Sequence, residues 1–163
     1  MVATVQQILQ NKGNANYSVA PDTTVLQALH LMAEHNVSAV LVMEGERLAG
    51  IFTERDYARK VVLKGLASKD TKVGDLMTPN VLTVSPTHTI DDCMCIITNN
   101  HVRHLPVVDH GKVVGIISIG DAVKSVMEQQ QATIDQLAGY IAGSVLTAAI
   151  TAEAPSWVWL EWA

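Results

Sequence analysis

Gly50-Ile51-Phe52-Thr53-Glu54-Arg55-Asp56 decides the fold, because sixty-five positions later the chain reads Gly115-Ile116-Ile117-Ser118-Ile119-Gly120-Asp121. Glycine, two apolar residues, a hydroxyl, two variable positions and an aspartate recur in one order. The same offset aligns residues 19–58 with 84–123 without a gap and pairs Val19 with Val84, Pro21 with Pro86, Thr24 with Thr89, Val37 with Val102 and Val42 with Val107. The chain is two copies of one unit.

Outward from that motif, each copy repeats one element order. Val25, Leu26, Leu29, Met32 and Ala33 form a helical stripe ending near His35. The apolar runs 38–43 and 47–52 follow around a Glu44-Gly45-Glu46 turn, and they predict strands covered on both faces. A helix starts at Thr53 and closes at Lys64-Gly65. The second copy predicts a lead-in over Val73–Met77, a strand over Val81–Val84, a helix from Thr89 to about Asn100, strands 104–108 and 113–117, and a helix from Ser118. Pro106, within a strand pattern, places its backbone at an edge or facing a cleft. Beyond Asp121 the stripe continues through Val126, Ile134, Leu137 and Ile141, a helix expected to pack on the module or on a second subunit. The boundaries read as repeat one at 3–65, a linker at 66–72, repeat two at 73–130, a C-terminal helix at 131–151 and a tail at 152–163 that holds all three tryptophans.

The 163 residues are 48% hydrophobic and 17% charged, a globular composition, and a net charge of −5 gives no electrostatic reason for nucleic acid. A bound anion therefore needs a local positive site. The opening residues do not resemble a secretion signal, so a cytoplasmic protein is expected. The longest uncharged run, Gln136 to Ala152, falls short of a membrane span. Cys93 and Cys95 point about 200° apart on one helix and read as buried, inert thiols. The six histidines show no ligand spacing, so no metal is expected.

Two readings of the repeated Thr/Ser-x-x-Asp are open. Thr53 and Ser118 are natural N-caps, with Asp56 and Asp121 closing capping boxes. Equally, each helix start opens beside strand ends, where amides and the helix dipole favour an anion, while an aspartate one turn in accepts bonds from vicinal hydroxyls. Phosphate and ribose together describe a nucleotide.

On these residues the chain resembles a tandem pair of cystathionine-β-synthase (CBS) domains, over about residues 3–130. The resemblance implies an α/β (α+β) fold of two β-α-β-β-α repeats packed with pseudo-twofold symmetry, followed here by the C-terminal helix. It implies Thr53 with Asp56, and Ser118 with Asp121, as phosphate and ribose contacts of two sites. Tyr17-Ser18-Val19, Leu82-Thr83-Val84, Ser38-Ala39-Val40 and His104-Leu105-Pro106 would line the base. Arg55, where the second copy has Gly120, and Arg103-His104, where the first has Ser38-Ala39, supply cations from opposite sides. Such pairs bind adenosine ligands (AMP, ADP, ATP, NAD, S-adenosylmethionine), act as regulatory modules in energy sensing and form dimers. The expectation is thus a non-catalytic module without a required cofactor, taking an adenine nucleotide, AMP foremost, and signalling through a homodimer or an unknown protein partner. The alternative is an interaction scaffold with vestigial sites, since no nucleophile, base or phosphate loop is legible for an enzyme.

Overall fold

The computed structural model describes residues 3–13 and 15–151, with side chains to residue 143; the tryptophan-rich tail at 152–163 lies outside the described residues. Helix α1 spans Val5–Lys12 and ends at Gly13, whose φ of 86° a side chain would strain. A short strand β1 (Ser18–Val19), helix α2 (Val25–His35) and strands β2 (Ala39–Glu44) and β3 (Arg47–Thr53) follow. Helix α3 opens over Glu54–Asp56 and widens to π-helical turns over Tyr57–Val62. A 3-10 turn at Val73–Asp75 leads to α4 (Ile90–Asn100), β4 (His104–Asp109), β5 (Lys112–Ser118) and α5 (Ile119–Thr151). The chain divides after Ser125 into two units, the first holding repeat one and all but the last residues of repeat two. On the continuation of α5, Ile134, Leu137 and Tyr140 are exposed.

β1, β2 and β3 form one sheet, parallel then antiparallel, and β4 with β5 form a second, antiparallel pair. The continuous apolar runs are buried on both faces as their pattern requires: Val40, Leu41 and Val42 are sealed in repeat one, Leu105 and Val107 in repeat two. Phe52, Val61 and Val73 close the first core over Val25, Ala28 and Met32 of α2.

The strand expected over Val81–Val84 is reduced to a single parallel bridge, Val84 to Val107. Pro106 is the reason. At its counterpart in repeat one, the Leu41 amide donates to the Tyr17 carbonyl (2.9 Å), which starts the β1–β2 ladder. Proline has no such amide, so only Val84 N–H to Pro106 O (3.0 Å) and Val108 N–H to Val84 O (2.8 Å) remain. The cysteines also part company: Cys93 is buried, its thiol pushed up to about 11 by burial first and then by Asp92, whereas Cys95 is exposed. The angle between them around the helix explains the difference, and correcting Cys95 leaves one buried thiol.

The lead-ins cross over between repeats, which no local pattern shows. α1 docks on repeat two, with Val5 N–H on His88 O (2.9 Å), Gln6 N–H on Pro86 O (3.0 Å) and Ile90 N–H on Ala3 O (2.9 Å). The second lead-in docks on repeat one, with Val73 N–H on Thr23 O (2.9 Å), Gly74 N–H on Pro21 O (2.8 Å) and Val25 N–H on Thr71 O (2.9 Å). These bonds match one for one, and they place the lead-ins in register at an offset of sixty-eight positions rather than sixty-five.

Candidate functional site

β3 delivers Thr53 in extended conformation (φ −122°, ψ 163°) to the start of α3, where its hydroxyl takes the Asp56 amide and Asp56 returns the bond to the Thr53 amide. Asp56 Oδ2 accepts from Thr53 N (3.0 Å) and Oγ1 (2.9 Å); Oδ1 accepts from Thr78 Oγ1 (3.2 Å) and lies 2.7 Å from Lys60 Nζ. Lys60, one turn along, also donates to the Leu76 carbonyl (2.8 Å), so the carboxylate is tied to the crossed-over lead-in. β5 delivers Ser118 to α5 in the same way, with Ser118 N and Oγ both 2.8 Å from Asp121 Oδ2. There the further partner is Lys12 of α1, whose Nζ lies 2.6 Å from the same oxygen.

The cap geometry therefore forms at both motifs, and it forms equally at Thr89-x-x-Asp92, where the same hydroxyl–carboxylate exchange opens α4. A cap alone marks no site. What sets Thr53 and Asp56 apart is a cavity of ≈ 410 Å³ at the end of β3, within the usual range for a small-molecule pocket. Repeat one contributes Ser38, Ile51, Thr53, Glu54, Arg55 and Asp56 to its wall; the segment after the second lead-in adds Thr78, Asn80, Val81 and Leu82; the end of α4 and the start of β4 add the rest, from Asn100 to His104.

The repeats meet where Ser38 Oγ lies 3.1 Å from His104 Nε2. Arg55 reaches across to donate to the His101 carbonyl (2.9 Å), rather than to Glu34 or Glu54, and Arg103 makes no ion pair among the described residues. Burial holds His104 below its ordinary value; Asp121 pulls it upward, and Lys12, Arg103 and Arg55 push it down. Arg55 and Arg103 thus bring two cations to the cavity wall, beside the carboxylates of Glu54 and Asp56. Burial alone would raise Asp121, but the bonds from Lys12 and Ser118 outweigh it and keep the carboxylate below its ordinary range.

The His104 environment has a measurable consequence. The unfolded chain takes up a proton near pH 6.5, which the folded ring refuses, so the His104 contribution is intact above that pH and is lost as pH falls below it. The melting temperature is expected to fall between pH 7.5 and pH 5.5, and His104→Gln to flatten that slope. An equally steep slope in the variant would assign the loss to other groups.

Of the residues expected at a site, the cavity gathers Ser38, Thr53, Arg55, Asp56, Arg103 and His104. Ser118 and Asp121 sit at the other helix start and are not in its wall. Ala39 is buried against Leu41 and Ile51, and Val84 and Pro106 are buried in the bridge between Val84 and β4. Val19 packs on the first core, while Ser18 and Thr83 are exposed; none of the six lines the cavity, where Leu82 takes the part expected of Thr83 and Val84. Thr78, Asn80 and His101 are additional wall residues. Their signal was weak, because only the crossing of the lead-ins brings Thr78 and Asn80 to repeat one. Among the described residues no three His, Cys, Asp or Glu side chains gather as metal ligands, and no helix is long and apolar enough to cross a membrane.

The family model for the CBS domain matches residues 14–63 and again 73–128. The mitochondrial CBS domain-containing protein CBSX3 of Arabidopsis thaliana is 39% identical over 149 residues, covering 86% of this chain and 72% of that protein. A protein with CBS domains from Burkholderia ambifaria MC40-6 is 50% identical in its solved structure, with a TM-score of 0.76 over 78% of this chain and 96% of that one. CBSX2, solved in complex with AMP, is 32% identical with a TM-score of 0.63 over 78% and 98%. The chain belongs to the CBS-domain family and carries two tandem repeats of it.

Proposed function

We propose that this CBS pair is a non-catalytic regulatory module that takes an adenine nucleotide, AMP foremost, in the cavity at Thr53–Asp56. The observation that carries the reading is the Thr78 hydroxyl on Asp56 Oδ1 at 3.2 Å, in the cavity wall. A protein hydroxyl stands where a sugar hydroxyl would stand, and exchanging one neutral hydroxyl for another costs little. The phosphate would then lie toward the start of α3, with Arg55 and Arg103 as its cations. The AMP complex of CBSX2 supports the ligand class.

Binding becomes a signal when one conformation holds the nucleotide better than another; a tenfold shift needs about 1.4 kcal/mol of difference. The output would pass through a homodimer, which the exposed Ile134, Leu137 and Tyr140 of α5 support, or through a protein partner. The proposed compartment is the cytoplasm, while the relative CBSX3 is by name mitochondrial.

Calorimetric titration of nucleotide-free protein with AMP, ATP, NAD and S-adenosylmethionine in turn tests the reading. AMP is expected to bind, and at about 100 times its dissociation constant to add about 2.7 kcal/mol to folding stability, read as a rise in melting temperature. Silence from all four would favour the scaffold, in which both carboxylates serve only as helix caps.

A further inference from the structure

The second unit, from Val126 on, carries a surface outside the repeats, since the match to the CBS domain ends at residue 128. Along α5, Met127, Gln130, Ile134, Leu137 and Ile141 follow one another at steps of three, four, three and four residues. Met127, Ile134 and Leu137 are between 57% and 64% exposed. Such steps average 3.5 residues a turn against the 3.6 of a straight helix, a drift of about 20° per heptad. The stripe therefore stays on one seam against a helix of the same period that winds with it, whereas packing on a globular core selects the 3.6 period. The helix runs to Thr151, about 39 Å from Val126 at 1.5 Å per residue, which leaves room for about three and a half heptads.

The seam residues say which helix fits. Met127, Ile134 and Ile141 take the first core position of the heptad, and Gln130 and Leu137 the second. Isoleucine at the one with leucine at the other favours two parallel strands. Gln130 is the polar break in the seam. Its amide both donates and accepts, so two aligned copies satisfy each other, while a shifted register sets it against an apolar side chain. The positions flanking the seam, Gln131, Thr133, Ala138 and Tyr140, carry no charge. Glu128 and Asp135 fall outside them, and Asp135 accepts from the Gln131 side chain (2.8 Å) along its own helix. Two copies of a chain of net charge −5 can thus close along this line without setting like charges together. A lipid surface fits less well, because helices that lie on membranes carry Lys or Arg on the polar face and residues 126–151 contain neither.

We propose that α5 from Met127 onward is a dimerisation helix, which pairs in parallel and in register with the same helix of a second copy of this chain. Met127, Ile134, Leu137 and Ile141 fill the seam and Gln130 sets its register. The inference rests on the homodimer reading above, which it locates on one seam, and not on the nucleotide.

The test is sedimentation equilibrium of the full chain, comparing the wild type with Leu137→Lys and Ala132→Lys, with circular dichroism to show that each is folded. Ala132 lies opposite the seam, so the two changes are alike in chemistry and differ in face. Disulfide trapping of Leu137→Cys and Ala132→Cys under oxidised glutathione accompanies it, in a Cys95→Ser background that removes the exposed native thiol. The wild type is expected to be a dimer, Leu137→Lys to weaken self-association at least tenfold, and Ala132→Lys to leave it unchanged. Leu137→Cys should be trapped as a linked dimer, since equivalent core positions of a parallel pair face each other, and Ala132→Cys should not. An unchanged dimer in Leu137→Lys would overturn the proposal while sparing a homodimer formed through another face. Equal weakening by both lysines would reduce the effect to added charge, and overturn it as well. A loss in Leu137→Lys without trapping at residue 137 would make the pair antiparallel or shifted, against the assignment. A wild type that is monomeric at every concentration would remove the homodimer and this inference together, leave the stripe to a different protein or to lipid, and spare the nucleotide reading.

Discussion

A chain carrying Asp56→Asn and Asp121→Asn together should give no heat on titration with AMP. Each carboxylate is the acidic residue of its Thr/Ser-x-x-Asp motif, and hydrogen bonds to a charged acceptor contribute about 1.5–3 kcal/mol apiece. Losing two such bonds from a ribose weakens binding by about a hundredfold or more. Asparagine is the informative replacement because alanine confounds binding with folding. Asp56→Ala would take the acceptor from the Thr53 amide and hydroxyl and the Thr78 hydroxyl at once, and the counter-charge from the Lys60 ammonium. Removing a cap costs about 1 kcal/mol by itself, and the lost ion pair to Lys60 adds to that. Asparagine keeps a carbonyl oxygen for the Thr53 amide, so the double variant should melt within a few degrees of wild type while losing the ligand. Unchanged AMP affinity in a folded double variant would confine both aspartates to helix capping and move any nucleotide away from them.

The fold was legible because the decisive signals are local and doubled. An ungapped repeat of strand, hydroxyl and helix start allows few architectures, and Val40, Leu41 and Val42 advertise burial on both faces without any knowledge of what covers them. What escaped the reading depends on long-range placement. The repeat offset of sixty-five begins at Val19, whereas the lead-ins correspond at sixty-eight, so Thr78 and Asn80 gave no sign that they finish the wall of a repeat-one cavity. Pro106 was readable as a strand edge, yet the loss of the preceding strand follows only once its missing amide is set against Leu41 and Tyr17. Lys12 gives no sign of its partner, because an ion pair with a residue 109 positions away has no sequence signature. The Thr-x-x-Asp spacing was the most ambiguous signal of all. Thr89 and Asp92 form the same cap, outside the cavity wall, and only the glycine-led strand ahead of Thr53 and Ser118 distinguishes the two motifs.

That leading glycine carries the other large effect. Gly50→Val should lower stability by about 3–5 kcal/mol and the melting temperature by about 10 °C or more. Gly50 lies within β3, and its conformation demands no glycine; the requirement is space. A Cβ there would sit 2.6 Å from Met77 Sδ and 2.8 Å from the Thr78 carbonyl oxygen. The sulfur end can move, but the carbonyl cannot, because it accepts from Ile51 N (3.0 Å) while Thr78 N donates to Ile51 O (2.8 Å). Valine therefore overpacks the crossing and pulls two backbone bonds apart. Gly115→Val in the second copy meets only the end of the Leu9 side chain, at 2.7 Å, which can turn aside, so about 1–2 kcal/mol is expected there. The asymmetry is the critical readout. Equal losses at the two glycines, or none at Gly50, would mean that the second lead-in is not held over β3. If the loss at Gly50 is the larger, AMP affinity should fall with it, because Thr78, displaced from Ile51, also leaves Asp56 and the cavity wall. The motif glycine would then link fold and site, by letting the partner repeat's chain pass close enough to place a hydroxyl on the carboxylate.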